Sequence, residues 1–493
     1  MNLDFSTIAA ISTPPGTGGI GVIRTSGPEA ALIAARIFRK PNGQALDLRA
    51  IGSHRVIFGR IHDPATGSAI DEVLLTWMAA PHTFTTEDTV EISCHGGQMP
   101  LQETLRVVLA SGARLAEPGE FTLRAFLHGR LDLSQAEAVL NVIGARTPRG
   151  LELAVEDLRG EIARRIAPAR DAVVSLLAYL DAAADFPEDE IPGTDVDADL
   201  STALTALESI VAGSHAGMLF REGAQVALVG RPNVGKSSLM NALLRSDRAI
   251  VTPIAGTTRD VIAESCNING IPVTLLDTAG IGDTEDIVEQ LGIARSRKAM
   301  EGAAAIVFVL DGSVAPTGED FQVANMLSGS RFDENTARPG DGAAALGTLQ
   351  EPAPTGASDG ATFRNPVIVA INKHDLPSRE SQRTVLDLVP DATAIQVSSR
   401  TGEGLPTLQD ALAKMLGDES AIQPSLITTR QRAALERSLE HLRNASETRA
   451  AGFPLDLMAT DVRAALHAIG EVTGENIDEA VLTEIFSRFC IGK

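Results

Sequence analysis

Gly230-Arg-Pro-Asn-Val-Gly-Lys-Ser237 fits the pattern G-x-x-x-x-G-K-[ST] of a phosphate-binding loop. Its flanks decide how it is read. Gln225-Val-Ala-Leu-Val229 before it reads as a buried strand, and Ser238-Leu-Met-Asn-Ala-Leu-Leu244 after it as a helix. With strand and helix in place, an accidental Gly-rich turn is the weaker reading. Gly230 and Gly235 allow a tight turn in which several N–H groups converge on phosphate oxygens. The helix N-terminus adds partial positive charge there. Lys236 is placed to reach the β- and γ-phosphates and Ser237 to hold Mg2+, with Asn233, Val234 and Ser238 completing the loop.

Three further segments follow in the order that guanine nucleotide-binding proteins require. Val273-Thr-Leu-Leu-Asp277 is a strand leading into Thr278, Ala279 and Gly280. Asp277 suits a Mg2+-bound water, and the Gly280 amide suits the γ-phosphate. Pro366-Val-Ile-Val-Ala-Ile371 is a buried strand ending in Asn372-Lys373-His374-Asp375, which resembles the Asn-Lys-x-Asp guanine reader. The Asp375 carboxylate can accept from N1–H and the 2-amino group of guanine. Adenine offers neither donor, so ATP would leave a buried charge unpaired. Ser398-Ser399-Arg400 resembles the last guanine-contacting loop, with Ser where Ala is usual. Each segment alone is weak evidence; all four in order point to a GTP-binding domain.

The chain has 493 residues, enough for about three domains. Its hydrophobic content of 44% supports real cores. It contains no run of ~18 apolar residues, so a membrane span is not expected, and Met1-Asn-Leu-Asp-Phe5 lacks a basic secretory region. Three cysteines (Cys94, Cys266, Cys490) lie far apart, which argues against a disulfide framework and for a reducing cytoplasm. A net charge of −22 argues against a large basic surface for nucleic acid. RNA contact is then local or supplied by a partner.

Four regions are expected in a multidomain α+β and α/β chain. Residues 1–128 form an α/β module, with strands near His54–Ile61 and Asp71–Met78 and a helix at Met99–Ser111. The glycines of Thr17-Gly-Gly-Ile-Gly21 precede a strand, lack G-x-G-x-x-G, and read as a turn. Cys94 beside His95 has no second Cys/His cluster nearby and reads as ordinary packing. Residues 129–220 are helical. From Leu151 an apolar face recurs through Val155, Leu158, Ile162, Ile166, Val173, Leu176 and Leu180, with Gly160 and Pro168 expected to kink or break it. Pro187–Asp199 reads as a loop. The nucleotide domain occupies 223–418, with a mobile insertion at about 335–363 that has little apolar periodicity. Residues 420–493 return to helices at Thr429–Ala450, Asp456–Ile469 and Ile477–Phe489, so the nucleotide domain looks inserted between two halves of a helical domain.

The chain closes with Phe489-Cys490-Ile491-Gly492-Lys493. Together with Thr13-Pro-Pro-Gly16, Pro118-Gly-Glu-Phe121 and Gly256-Thr-Thr-Arg-Asp260, this tail resembles the MnmE (TrmE) family of tRNA wobble-uridine modification GTPases. The resemblance covers nearly the whole chain except the insertion around 313–363. It implies an N-terminal tetrahydrofolate-binding and dimerisation domain, a discontinuous helical domain and an inserted Ras-like GTPase domain. It implies a homodimer that joins the flavoprotein MnmG (GidA) in a heterotetramer or larger complex and acts on tRNA. The pair add an aminomethyl or carboxymethylaminomethyl group at C5 of the wobble uridine, with the one-carbon unit from 5-formyltetrahydrofolate or a related derivative.

The resemblance also assigns residues. Ile281 stands where small GTPases carry a water-orienting Gln, so another group must serve. Family members use potassium where others use an arginine finger. Asn233, Thr252, Ile254 and Thr257 match its ligands, and Ser237 and Thr258 those of Mg2+; Pro253, Ala255 and Gly256 lie in the same nucleotide-binding loop. Glu289 matches the water-orienting glutamate. Read without the family, it is a solvated carboxylate beside Glu285 and Asp286. Arg24, Glu91, Arg130 and Lys493 match folate-binding positions, with Arg130 standing where some relatives have Lys. Cys490 matches the tail cysteine, whose fixed place suggests chemistry or folate contact. Gly282 stands where some relatives carry a charge. A regulatory GTPase acting as an assembly scaffold is the competing reading; the tail and the folate module favour modification.

Overall fold

The computed structural model describes residues 5–185, 195–246, 262–277, 300, 302–328, 365–377, 383–417, 424 and 426–493. It divides into two compact units, Met1–Ile143 with Ala154–Val211 and Ile427–Lys493, and Gly144–Leu153 with Ala212–Leu426. Three of the four divisions fall inside helices, Leu133–Gly144, Pro148–Leu158 and Val196–Glu222, and the fourth falls just before Thr429–Ala450. The expected insertion at 335–363 lies outside the described residues.

In the first unit, β1 (Ile8–Ile11), β2 (Ile20–Ser26), β3 (Phe38–Arg39), β4 (Arg55–His62), β5 (Ala69–Met78), β6 (Thr89–His95) and β7 (Arg114–Leu115) make one sheet in the order β3-β4-β5-β6-β2-β1-β7. Its pairs are antiparallel except β1 with β7. Alternation sets the faces. Val73, Leu75 and Trp77 of β5 join Val90, Ile92 and Cys94 of β6 in a core with the helices Ala30–Ile37 and Gln98–Ala110. Val56, Phe58 and Leu74 face outward and are exposed. Gly18 and Gly19 sit in the turn before β2, where the Gly18 amide donates to the Gly96 carbonyl at 2.8 Å.

The helices Glu161–Asp185, Val196–Glu222, Thr429–Ala450 and Leu455–Thr473 share a second core. Gly160, at φ +86°, separates Pro148–Leu158 from the next helix, as expected of a glycine in the left-handed region. Pro168 does not break it: the helix Glu161–Asp185 runs through that position, because Ile162, Ile166, Ala169 and Val173 on either side of Pro168 are all buried in the core. The expected loop to Asp199 also ends early. Asp195 Oδ1 accepts the Ala198 amide at 3.1 Å, so the following helix begins at Val196. By length and composition alone that helix could cross a membrane, but charged residues such as Asp197, Asp199 and Glu208 interrupt it, so it is not the continuous apolar run whose absence the sequence showed. Its Val196, Leu200, Ala203, Leu207 and Ile210 lie in the helical core, at steps of three and four residues. A capping box starts Thr429–Ala450: Thr428 Oγ1 accepts the Gln431 amide at 3.2 Å and Gln431 Oε1 accepts the Thr428 amide at 2.8 Å.

In the second unit, β8 (Ala224–Val229), β9 (Ile262–Ile268), β10 (Ile271–Asp277), β11 (Ala305–Asp311), β12 (Val367–Asn372) and β13 (Thr393–Gln396) run in the order β13-β12-β11-β8-β10-β9, parallel except for β9. Both faces are covered. Val226 and Leu228 enter one core with Leu239 and Leu243, while Ala227 and Val229 enter another with Phe308 and Leu310. This is why β8 beyond Gln225 and β11 up to Asp311 are continuously apolar rather than alternating.

The N-terminal module also carries a buried charge network. Glu120 takes both ends of Arg114, at 2.8 and 2.5 Å, and Arg124 at 2.8 Å, while Arg124 reaches Glu87 at 3.0 Å. Burial acts to raise the Glu120 pKa, but Arg114, the Glu117 amide and Arg124 outweigh it and hold the carboxyl below its usual value. Glu120→Ala should destabilise the fold by roughly 3–5 kcal/mol, since Arg124 keeps its burial and loses a partner. The exposed pair Arg149–Glu152 is the control, and Glu152→Ala should cost no more than about 1 kcal/mol. The Glu120 contribution is present above the ordinary glutamate pKa of 4.5 and is lost as pH falls through the lower native one. Urea melts of the parent and Glu120→Ala should therefore differ at pH 7 and converge in acid.

Candidate nucleotide site

After β8 the chain turns through residues 230–235 into the helix Lys236–Ser246. Gly230 has φ +150°, and a Cβ there would lie 2.4 Å from the Val309 carbonyl oxygen. Gly235 has φ +97°, and a Cβ there would lie 2.4 Å from Asn372 Nδ2. Any larger residue would push the loop off the ends of β11 and β12. Between them Asn233 is itself left-handed, at φ +63°. Lys236 is buried, and its ammonium donates to the carbonyls of Gly230 (2.7 Å) and Arg231 (2.8 Å). Burial lowers its pKa against the opposing charges of Asp277 and Glu319. Ser237 Oγ donates to Asp277 Oδ2 at 2.7 Å, so a hydroxyl and a buried carboxylate face one another beneath the loop.

The guanine-side residues close on the same loop. Asn372 is 1% exposed; its Nδ2 donates to the Val234 carbonyl at 3.0 Å, and its Oδ1 accepts from the Ser399 amide (3.1 Å) and hydroxyl (2.8 Å). Lys373, at φ +64°, donates to the Asn233 carbonyl at 3.1 Å and pairs with Asp311 at 2.6 Å. Asp375 Oδ1 accepts from Ser398 Oγ at 2.6 Å, and Oδ2 pairs with Arg400 at 2.6 Å. The Ser398 hydroxyl, with help from Arg400, holds the Asp375 carboxyl below its usual pKa. It is therefore ionised at neutral pH, the form that accepts two N–H donors. Burial pushes Asp311 up, but Lys373 and Ser313 outweigh it and leave it lowered.

A second constellation lies in the N-terminal module. Arg24 on β2 pairs with Glu91 on β6 at 2.8 Å and stands 5.9 Å from the Phe84 ring centroid and 5.7 Å from that of Phe121. Arg130 donates to the Phe84 carbonyl at 2.8 Å and lies 5.0 Å over its ring. A cavity of about 590 Å³ opens beside them, lined by Met78, His82, Phe84, His128 and Arg130 among others. The tail reaches the same module: Ser12 Oγ donates to the Gly492 carbonyl at 3.1 Å, and the Gly119 amide points at the Cys490 carbonyl, 3.5 Å away. Cys490 is exposed, and the Lys493 amide turns back onto the Cys490 carbonyl at 3.3 Å. Cys94, in contrast, is a core residue whose thiol is pushed up to about 11 by burial.

A family model described as GTP-binding protein TrmE N-terminus matches residues 7–130, and one described as MnmE helical domain matches residues 133–490. The tRNA modification GTPase MnmE of Chloroflexus aurantiacus is 48% identical over 492 residues, spanning 99% of both chains. That of Heliobacterium modesticaldum is 44% identical, again over 99% of both. The chain belongs to the MnmE family of tRNA modification GTPases.

The MnmE-family fold class expected from the sequence is the one found. Of the expected GTP-contacting residues, Asn233, Val234, Gly235, Lys236 and Ser237 meet Asp277, Asn372, Lys373, Asp375, Ser398, Ser399 and Arg400 at one end of the sheet. Ser238 is exposed on the first turn of the helix. Thr252, Pro253, Ile254, Ala255, Gly256, Thr257, Thr258, Thr278, Ala279, Gly280 and Glu289 lie outside the described residues. Three supporting residues were not foreseen. Arg231 pairs with buried Asp320 at 3.0 Å, fastening the loop to the helix Gly318–Ser328, and Asp311 holds Lys373. Asp311 had a signal: like Asp277, it is an acidic residue closing an otherwise apolar strand. Arg231 and Asp320 had none.

Asp375→Asn replaces an acceptor oxygen with an N–H donor facing the donor edge of guanine. GTP affinity should fall by roughly 100-fold or more, measured by titration with a fluorescent GTP analogue, while the melting temperature of the other unit stays unchanged.

Proposed function

We propose that this chain hydrolyses GTP with a potassium ion and Mg2+ at the phosphate loop, and couples hydrolysis to modification of the wobble uridine of tRNA. In this reading it works in the cytoplasm as a homodimer with a flavoprotein of the MnmG (GidA) kind. The product is an aminomethyl or carboxymethylaminomethyl group at C5, and the one-carbon unit comes from 5-formyltetrahydrofolate or a relative.

One observation carries the modification half. Residues from distant parts of the sequence (Arg24, Phe84, Glu91, Phe121, Arg130 and the tail) gather in one module. Arg24, paired with Glu91, lies against two aromatic rings, and the tail is bonded to Ser12 just past β1, the strand next to β2. A carboxylate held by an arginine that itself lies against aromatic rings suits the donor edge of a flat heterocycle, and the nearby Arg130 suits its acidic tail. The cavity falls in the range of small-molecule sites. Tetrahydrofolate supplies the carbon unit when bound; Arg24, Glu91, Arg130 and Lys493 are proposed to hold and orient it, with Cys490 at the reaction centre.

At the nucleotide, the Ser237 hydroxyl against Asp277 is a donor set that suits Mg2+, with Thr258 completing it. Asn233 is exposed at the mouth of the loop, where its carboxamide oxygen suits potassium alongside Thr252, Ile254 and Thr257. A cation there offsets negative charge developing at the bridging oxygens. Glu289 is proposed to orient water.

GTP turnover should be higher in KCl than in NaCl at equal ionic strength, and Asn233→Ala should lose most of that difference while keeping nucleotide affinity. Equal turnover in both salts would remove the potassium role. Glu289→Ala should bind GTP normally and turn over roughly 10²–10⁴-fold more slowly. Cys490→Ser should keep GTPase activity and lose modified uridine in tRNA from a complemented deletion strain. Full restoration by Cys490→Ser would make the cysteine structural, and modified uridine at parental levels in the deletion strain itself would overturn the modification reading.

A further inference from the structure

Among the described residues, the two non-glycine residues of the nucleotide site that are held left-handed, Asn233 and Lys373, touch one another. Such a conformation persists only where its surroundings over-determine it. For Asn233 the surroundings are visible. Its carbonyl accepts from Lys373 Nζ at 3.1 Å, and that ammonium is held at 2.6 Å by Asp311 Oδ2. Asp311 is 7% exposed and is oriented in turn by Ser313, whose amide (3.0 Å) and hydroxyl (2.6 Å) both donate to Oδ1. Asp311 lies opposite Asn372 in the parallel pairing of β11 with β12. The carboxylate and the ammonium it holds therefore come from adjacent strand ends, a geometry set by the sheet.

We propose that Asp311 is a positioning residue: it fixes the Lys373 ammonium, and through it the left-handed backbone of Asn233, so that the phosphate loop is held closed before nucleotide arrives. An ammonium on a flexible stem has three donors and no preferred direction. Left to solvent, it would not hold one carbonyl against the cost of the left-handed turn. The Asp311 carboxylate supplies the direction. The neighbouring Asn372-to-Val234 bond fastens the next residue of the loop, so the guanine-reading segment clamps two consecutive carbonyls. The inference uses the GTP-binding site but not the potassium assignment. If potassium sits on Asn233, Asp311 also sets how that side chain is presented.

The test uses the full chain. Asp311→Asn should speed dissociation of a fluorescent GDP analogue by about tenfold and raise amide hydrogen exchange across residues 230–235. The melting temperature of the unit containing residues 427–493 should not move. Lys373→Met should raise exchange across residues 230–235 likewise, and the double variant should neither exchange nor release nucleotide faster than Lys373→Met alone, because Asp311 acts through that ammonium. Asp311→Glu should restore most of the protection. Additive effects of the two substitutions, or unchanged exchange at residues 230–235 in Lys373→Met, would overturn the proposal. The Lys373→Met arm decides the matter even where Asp311→Asn folds poorly. Normal potassium stimulation with faster dissociation would leave this proposal standing; loss of potassium stimulation with unchanged dissociation and exchange would overturn it.

Discussion

The nucleotide site depends on the parallel register of the six-stranded sheet. Asp277 lies opposite Leu228, and Asp311 opposite Asn372. The carboxyl ends of β10, β8, β11 and β12 therefore lie at one edge of the sheet, with β11 and β12 running three residues past the end of β8, and the phosphate loop and the guanine-reading segment leave from that edge. The strands between are buried on both faces, so a slip by one residue is not resisted by any apolar pattern. It is resisted by charge: such a slip would draw Asp277 or Asp311 into the sheet without Ser237 or Lys373.

What could be read in the sequence was local. The phosphate loop, Asp277 and the Asn372–Asp375 segment are short patterns whose chemistry lies within a few residues, and the apolar strands beneath them are continuous. Residues whose meaning comes from a distant partner were not readable in the same way. Arg231 is one of several arginines until Asp320 is seen beside it, and Glu120 reads as an ordinary helix-start acid until Arg114 and Arg124 are seen to surround it. Helix breaking shows the same limit. Gly160 acts through its own backbone freedom and ended a helix as expected. Pro168 acts against neighbours, and the helical core outweighed it. The folate-type positions were legible only through family resemblance, since nothing near Arg24 in sequence points to Glu91 or Arg130.

The two constellations store their order differently. At the nucleotide loop, strained backbone is held by neutral carbonyl acceptors and two ion pairs that each join a more exposed cation to a buried carboxylate, Lys373 with Asp311 (34% and 7% exposed) and Arg231 with Asp320 (17% and 2%). At the centre of the N-terminal charge network, one pair lies almost wholly out of water, with Arg124 at 3% and Glu120 at 9%. The first arrangement can loosen and re-form around a ligand at modest cost. The second has no such freedom, which suits a scaffold that must keep aromatic faces and an arginine–glutamate pair in fixed relation.

The tail contact has a consequence for synthesis. Ser12 and Gly492 are 480 positions apart, and a ribosome adding roughly 5–20 residues per second makes the first tens of seconds before the second. During that interval the strands of the N-terminal sheet can pair, but the surface around Ser12 and Gly119 lacks its cover. Gly492 leaves no room for a side chain there, since a Cβ would lie 2.5 Å from the Ile11 carbonyl oxygen. A segment made early is thus finished by one made much later, and a product truncated just before residue 490 would carry every strand of that sheet while lacking the segment that closes it.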